Sequence, residues 1–220
     1  MAFVQRLNKI AVVFAPLLEI IQAEQEQTIV RNKQVLLIDS FPVAIARQGH
    51  RFKACVAREF ADRGYCAAKK MYFFGIRVHI IARRQTGTLP SPEYILVAPA
   101  SRNDGKVFEQ ILPQLFDEVI FGDKAYQISD AKEYQQKQNL TVLTPVKKKK
   151  GQKYLNADEK WLSTAVSKVR QPIETLFGRI DEKTGIEVAG KVRSYQGLLV
   201  HVFGRLAAVM FFWNKLRTCP

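Results

Sequence analysis

Two apolar runs in this chain end on an aspartate. Val35 to Val43, VLLIDSFPV, carries Asp39, and Val119 to Tyr126, VIFGDKAY, carries Asp123. Each run predicts a buried strand, and an unpaired carboxylate taken out of water is costly. A third acid, Glu174, lies in VSKVRQPIETLFGRI. There Leu162, Val166, Val169, Ile173, Leu176 and Ile180 step by four and three, a buried helical stripe, while Arg170, Glu174, Phe177 and Asp181 share the neighbouring face. Two strand-end carboxylates and one helix-borne carboxylate make a donor set for hard divalent cations, which prefer oxygen ligands. Two such ions about 3.5–4 Å apart activate an attacking oxygen and stabilise a leaving one in displacement at phosphorus. Taken singly, each aspartate also fits a helix N-cap or a turn, and Glu174 also fits an intrahelical pair with Arg170. Gly122 admits close approach to the backbone before Asp123, and Lys124 sets a cation beside it.

The elements that must carry these acids alternate in period. Besides the two aspartate strands, YFFGIRVHIIARR, EYILVAPA and LTVLTP predict strands, with the turn-rich QTGTLPSP closing a hairpin. SRNDGKVFEQILPQLF, capped by Asn103 or Asp104, and ISDAKEYQQKQ predict helices. The basic segment RQGHRFKACVAREFADRGYCAAKKM reads as irregular. Three strands, helix, strand, helix, strand and long helices imply an α/β fold, a mixed five-stranded sheet with helices on both faces. Pro172 requires the Glu174 helix to kink or to restart with the proline in its first turn. At the N-terminus, Leu7, Ile10, Phe14, Leu17 and Ile21 fall on one helical face that Pro16 bends. At the C-terminus, Leu199, Val202, Leu206, Met210 and Trp213 make a stripe. Gln196, His201 and Arg205 in that stretch argue for a core helix rather than a membrane span.

The charge narrows the partners. Thirty-four Lys and Arg against twenty Asp and Glu give +14, the footprint of a polyanion binder, with nucleic acid ahead of acidic lipid or a merely solvated surface. VKKKKGQK, Val146 to Lys153, reads as a solvated loop able to meet phosphate. Three cysteines, Cys55, Cys66 and Cys219, suggest no disulfide framework and a reducing compartment. A zinc site from His50, Cys55, Cys66 and His79 fits no common spacing. Tyr126, beside Asp123, reads as a packing residue rather than a nucleophile.

The order of LLIDSFPV, IFGDKAY and VRQPIETLFGRI, followed by VRSYQGLLVHVFGRLAAVMFFWNK, resembles the Asp-Asp-Glu transposases of bacterial insertion sequences, most closely the insertion-sequence 982 family. The resemblance implies a ribonuclease H-like fold, cleavage at transposon ends dependent on Mg²⁺ or Mn²⁺, with two ions expected, and strand transfer by the freed 3′-hydroxyl. It implies Asp39, Asp123 and Glu174 as the catalytic, metal-binding acids, and Arg170 as the arginine preceding that glutamate by four. Ser167 stands in the tyrosine slot of the related Tyr-Arg-Glu-Lys signature, and Asp181 in its lysine slot with Lys183 two positions on. Family members carry a helical end-recognition domain ahead of the catalytic one. The expectation is therefore a shortened copy, with a helical remnant at 1–34 and a catalytic domain at 35–220. Its expected partners are double-stranded DNA, as transposon ends and target, and a second copy of itself, in the cytoplasm at the nucleoid, with no membrane. Arg102, Lys124, Lys147, Lys148, Lys149, Lys150, Arg170 and Arg193 are the cations expected at the phosphates. A nuclease without transfer activity and a non-catalytic DNA-binding remnant are the alternatives.

Overall fold

In a computed structural model, which describes residues 2–26, 34–148 and 150–212, the two aspartate runs lie side by side in one mixed sheet. The first run extends to a long strand, β1 (Gln34–Arg47). It is followed by β2 (Asp62–Cys66), β3 (Met71–Arg83), β4 (Ser91–Pro99), β5 (Glu118–Phe121) and β6 (Thr141–Leu143). β1 is antiparallel to β3 and parallel to β5, which is parallel to β6. Because β1 occupies one side of β3, both remaining partners share the other. β2 pairs with Met71–Gly75 and β4 with Ile76–Arg83. Six strands thus fill five positions, an arrangement compatible with a ribonuclease H-like fold.

β2 falls in the segment expected to be irregular. Its signal is weak because only Cys66 of its five residues is buried. Gly64 is required there, since a Cβ would collide with the Ala100 carbonyl. Gly75, in β3, meets the Val43 carbonyl in the same way, next to the register shift between Ala44 and Ala46.

The helices are α1 (Ala2–Lys9), α2 (Phe14–Glu26), α3 (Asp104–Phe108), α4 (Ala131–Gln138), α5 (Ala157–Thr184), α6 (Tyr195–Leu199) and α7 (Arg205–Phe211). Side chains of a strand alternate between faces, and β1 uses both. Leu37, Phe41 and Val43 face a core completed by Ile173, Leu176 and Ile180 of α5 and by Leu206 and Met210 of α7. Leu36 and Ile38 face a second core with Phe108, Leu112, Leu115, Ile120 and Tyr126. Helices therefore cover both faces, as expected.

Several local expectations shift. The helix after Asn103 ends at Phe108, and a 3-10 turn, Leu112–Gln114, takes over where Pro113 lacks an N–H. Asn103 is its cap, accepting from the N–H groups of Gly105 and Lys106. At the N-terminus a 3-10 turn at Ala11–Val13 resets the phase, so Ala11, Leu18 and Ile21 are buried while Ile10 and Leu17 are exposed. Pro16 falls in the first turn of α2, where its missing N–H is harmless. α5 neither breaks nor restarts at Pro172 and runs for 28 residues, from a capping box of Asn156 and Glu159 to Gly185 at φ 60°. Of its stripe Val166, Ile173, Leu176 and Ile180 are buried and Val169 partly so, but Leu162 is exposed. α6 and α7 join through a π turn, Val200–Gly204, and Leu198 rather than Leu199 is buried. Trp213, Lys149 and Cys219 lie outside the described residues. Among the described residues no helix is long and apolar enough to cross a membrane.

Candidate active site

Parallel pairing of β1 with β5 puts the two aspartates level. The last paired residues are Leu37 and Phe121, and each acid lies two positions further on. Asp123 opens a 3-10 turn, Lys124–Tyr126, closed by the Tyr126 N–H donating to the Asp123 carbonyl at 2.9 Å. Gly122 is needed before it, because a Cβ would lie 2.9 Å from Ile38 Cγ2 and 3.0 Å from Tyr126 Cβ. Glu174 arrives from α5, which packs on the face of β1 that carries Asp39.

Arg170 joins these acids. One guanidinium nitrogen donates to Asp39 Oδ2 and the other to Glu174 Oε1, four residues along α5. Asp39 Oδ1 accepts the Ser40 N–H at 2.8 Å. Asp39 and Arg170 are largely covered, with side chains 20% and 15% exposed, whereas Glu174 is 55% exposed. Burial pushes the Asp39 carboxyl up to about 6, against the pull of Arg170 and the Ser40 N–H. Asp123 and Glu174 add to the rise, so all three carboxylates share one field. Burial works against the Arg170 charge too, but Asp39, Glu174 and Asp123 outweigh it and raise its pKa.

Among the described residues no three His, Cys, Asp or Glu side chains gather closely enough to hold a metal ion. The Arg170 guanidinium lies between Asp39 and Glu174 and bonds to both. The donor set still suits a hard divalent cation, because all three groups are carboxylates. Asp39 is a buried acid whose charge Arg170 neutralises only in part, and Arg170 Nε is buried without a partner. The zinc grouping fails, since His79 and Cys66 are buried while Cys55 is exposed.

Behind Asp39, on the opposite face of the sheet, lies a polar chain that the sequence reading missed. The Ser40 side chain hydrogen-bonds the Tyr126 phenol, and Tyr126 Oη lies 3.0 Å from His79 Nδ1. His79 Nε2 is 3.9 Å from Asp104 Oδ1, and Arg77 pairs with Asp104 at 3.1 Å. Burial, helped by Arg77, lowers His79 to about 4, and burial raises Tyr126 well above its ordinary value. At neutral pH a protonated phenol and a neutral imidazole therefore share the Nδ1–Oη hydrogen bond, while Nε2, buried and 3.9 Å from Asp104 Oδ1, makes none. Burial also raises Asp104, against Arg77, with Asp123 adding to the rise. A signal existed: Arg77 and His79 alternate inside an otherwise apolar strand and so share one face.

The expected phosphate contacts are dispersed. Lys124 and Arg102 are exposed, Lys124 beside Asp123 and Arg102 across a cleft from Ala125. Arg170 sits among the acids. Lys147, Lys148 and Lys150 are exposed on the loop before α5, where Lys148 Nζ donates to the Lys153 carbonyl at 2.7 Å. Arg193 lines a different groove, between α1 and the C-terminal helices, and donates to the Gly190 and Val192 carbonyls. Ser167 donates to the Ser163 carbonyl, Asp181 accepts the Glu187 N–H, and Lys183 pairs with Glu182.

A family model described as a transposase DDE domain matches residues 31–211. Neither the curated proteins nor the solved structures returned a match.

Proposed function

The chain belongs to the transposase DDE domain family, and on that premise we propose that it is the ribonuclease H-like catalytic core of a DNA transposase. It cleaves phosphodiesters at transposon ends and joins the freed 3′-hydroxyl to target DNA. Asp39, Asp123 and Glu174 are the catalytic acids and would hold Mg²⁺ or Mn²⁺. When bound, such ions supply Lewis-acid stabilisation of charge developing at phosphorus. The observation that carries this reading is the level placement of Asp39 and Asp123 on adjacent parallel strands, in one field with Glu174 and Arg170.

The chain's own residues then have separable duties. Arg170 balances two carboxylates and fixes their directions. Lys124, exposed beside Asp123, meets the phosphate that the acids would otherwise repel. Tyr126 cannot be a covalent nucleophile, because its ring is 1% exposed and its phenol is directed to His79 behind the sheet. Water is therefore the nucleophile in the first step, breaking the P–O3′ bond, and the liberated 3′-hydroxyl is the nucleophile in the second, breaking a P–O3′ bond of the target strand and releasing its 3′-hydroxyl. We assign the chain to the neighbourhood of the insertion-sequence 982 family, acting as a homodimer on paired DNA ends in the bacterial cytoplasm.

Purified protein incubated with a transposon-end duplex should nick it only when Mg²⁺ or Mn²⁺ is added, and Asp123→Asn should reduce nicking to background. Joining of a pre-cut end to target DNA separates a transposase from a nuclease. Metal-independent nicking, or nicking unchanged in Asp123→Asn, refutes the assignment.

A further inference from the structure

A cleft of about 630 Å³ reaches the Asp123 turn at Ala125 and is otherwise lined from the Arg77 and Asp104 side of the sheet, and the mechanism above gives it no role. It is lined by the 3-10 segment Gln48–Phe52, β2, the start of β3, the stretch from Ala100 to Asp104, and Ala125, two residues beyond Asp123. Three large aromatic side chains line it half exposed: Phe52 at 55%, Tyr65 at 43% and Tyr72 at 56%. Tyr65 and Tyr72 are register partners across β2 and β3, with ring centroids 4.7 Å apart. Arg51 lies over Phe52 at 4.0 Å and over Tyr72 at 5.0 Å, and Arg63 lies over Phe52 at 5.1 Å.

The charge of this cleft is unbalanced. Four arginines line it, Arg51, Arg63, Arg77 and Arg102, against the single carboxylate of Asp104, an excess of three positive charges. Arg77 pairs with Asp104, whereas Arg51, Arg63 and Arg102 pair with no carboxylate among the described residues. Arg51 donates to the Gln48 carbonyl at 2.6 Å and Arg63 to the Phe52 carbonyl at 3.2 Å, which holds both guanidinium groups beside the rings with their charge unneutralised. Half-exposed rings beside such charges form a stacking platform, since a nucleobase stacks on either kind of plane and its phosphate meets the charge. A duplex covers the base faces of all but its two terminal pairs. An unpaired strand leaves them open.

We propose that this cleft binds unpaired nucleotides, stacking their bases on Phe52, Tyr72 and the Arg51 plane, and so holds a single-stranded segment of the DNA whose phosphodiester lies at the acids. The identity of the nucleic acid rests on the transposase reading; the stacking site rests on the cleft alone.

The test measures binding of the full chain to a short fluorescent single strand and to the matching blunt duplex, by anisotropy, with 2-aminopurine emission reporting stacking. Phe52→Leu keeps apolar bulk but removes the ring face, and Tyr72→Ala removes the other ring. Each should weaken single-strand binding about 5- to 150-fold, leave duplex binding unchanged and abolish the 2-aminopurine response. Phe52→Trp should bind the single strand at least as tightly as the parent. Equal single-strand affinity in parent, Phe52→Leu and Tyr72→Ala would overturn the proposal, as would a proportional loss for strand and duplex alike. If the ring variants lose the single strand while the parent never nicks a transposon end, the cleft stands and the transposase reading falls. Nicking with ring-independent strand binding gives the converse.

Discussion

His79 offers a measurement that reaches the polar chain behind Asp39 directly. Its ring is fully buried and its affinity for a proton is lowered from 6.5 to about 4. The unfolded chain therefore takes up a proton as pH falls through 6.5, while the folded protein takes none until about 4. Stability from this group is complete above 6.5 and is lost across that window. Between pH 7 and pH 5 the loss amounts to ~2 kcal/mol. Asp39 acts with the opposite sign. Its folded value, raised from 3.8 to about 6, means that the folded protein binds the proton first, so stability increases as pH falls from 7 to 5, by ~1 kcal/mol. In the wild type the two partly cancel, and a single stability profile hides both. Urea denaturation at pH 7 and pH 5 of wild type and His79→Gln separates them, because glutamine keeps hydrogen-bonding capacity without titrating. The variant should gain stability on acidification relative to wild type by ~2 kcal/mol. Identical pH dependence in the two proteins would refute the buried neutral imidazole. Should the variant fail to fold, NMR titration of His79 in the wild type serves instead: a proton taken up at 6.5 would contradict the placement.

Tyr126→Phe removes the phenol that Ser40 and His79 share. It should lower stability by about 1–3 kcal/mol, because the buried His79 Nδ1 loses its partner, and slow metal-dependent nicking without abolishing it; complete loss of nicking in a folded variant would reinstate the tyrosine as a nucleophile. Gly75→Ala should destabilise the sheet by about 1–3 kcal/mol or more, seen as a lower urea midpoint, since the added methyl meets the Val43 carbonyl.

The two aspartate strands were legible because uninterrupted apolar runs report burial on both faces, and the helix of Glu174 because α5 keeps its stripe over four turns. β2 was not legible, as Asp62, Arg63 and Gly64 carry no strand preference and are held by pairing with β3. Nor was the early end of α3, where Pro113 outweighs the spacing of Val107, Ile111 and Leu115. Arg170 could be seen four residues before Glu174, but its contact with Asp39 spans 131 positions and depends on how α5 crosses the sheet. Placement of Ser40, His79 and Tyr126 in one network likewise needs three strands in register, which no local pattern encodes.

The crowding of β2 and β4 onto one flank of β3 has a bearing on solubility. That margin is divided into stretches of five and nine residues, and the opposite margin is β6, only three residues long. A stranger chain seeking to extend the array by main-chain pairing finds no long, straight template on either border. β3 is enclosed between β1 and the β2 and β4 pair, and β1 beyond Leu37 is covered on its other side at Ala44, which bonds to Glu187 and Ala189. A protein with this much apolar strand is thereby shielded from growing into fibrous assemblies by its own topology.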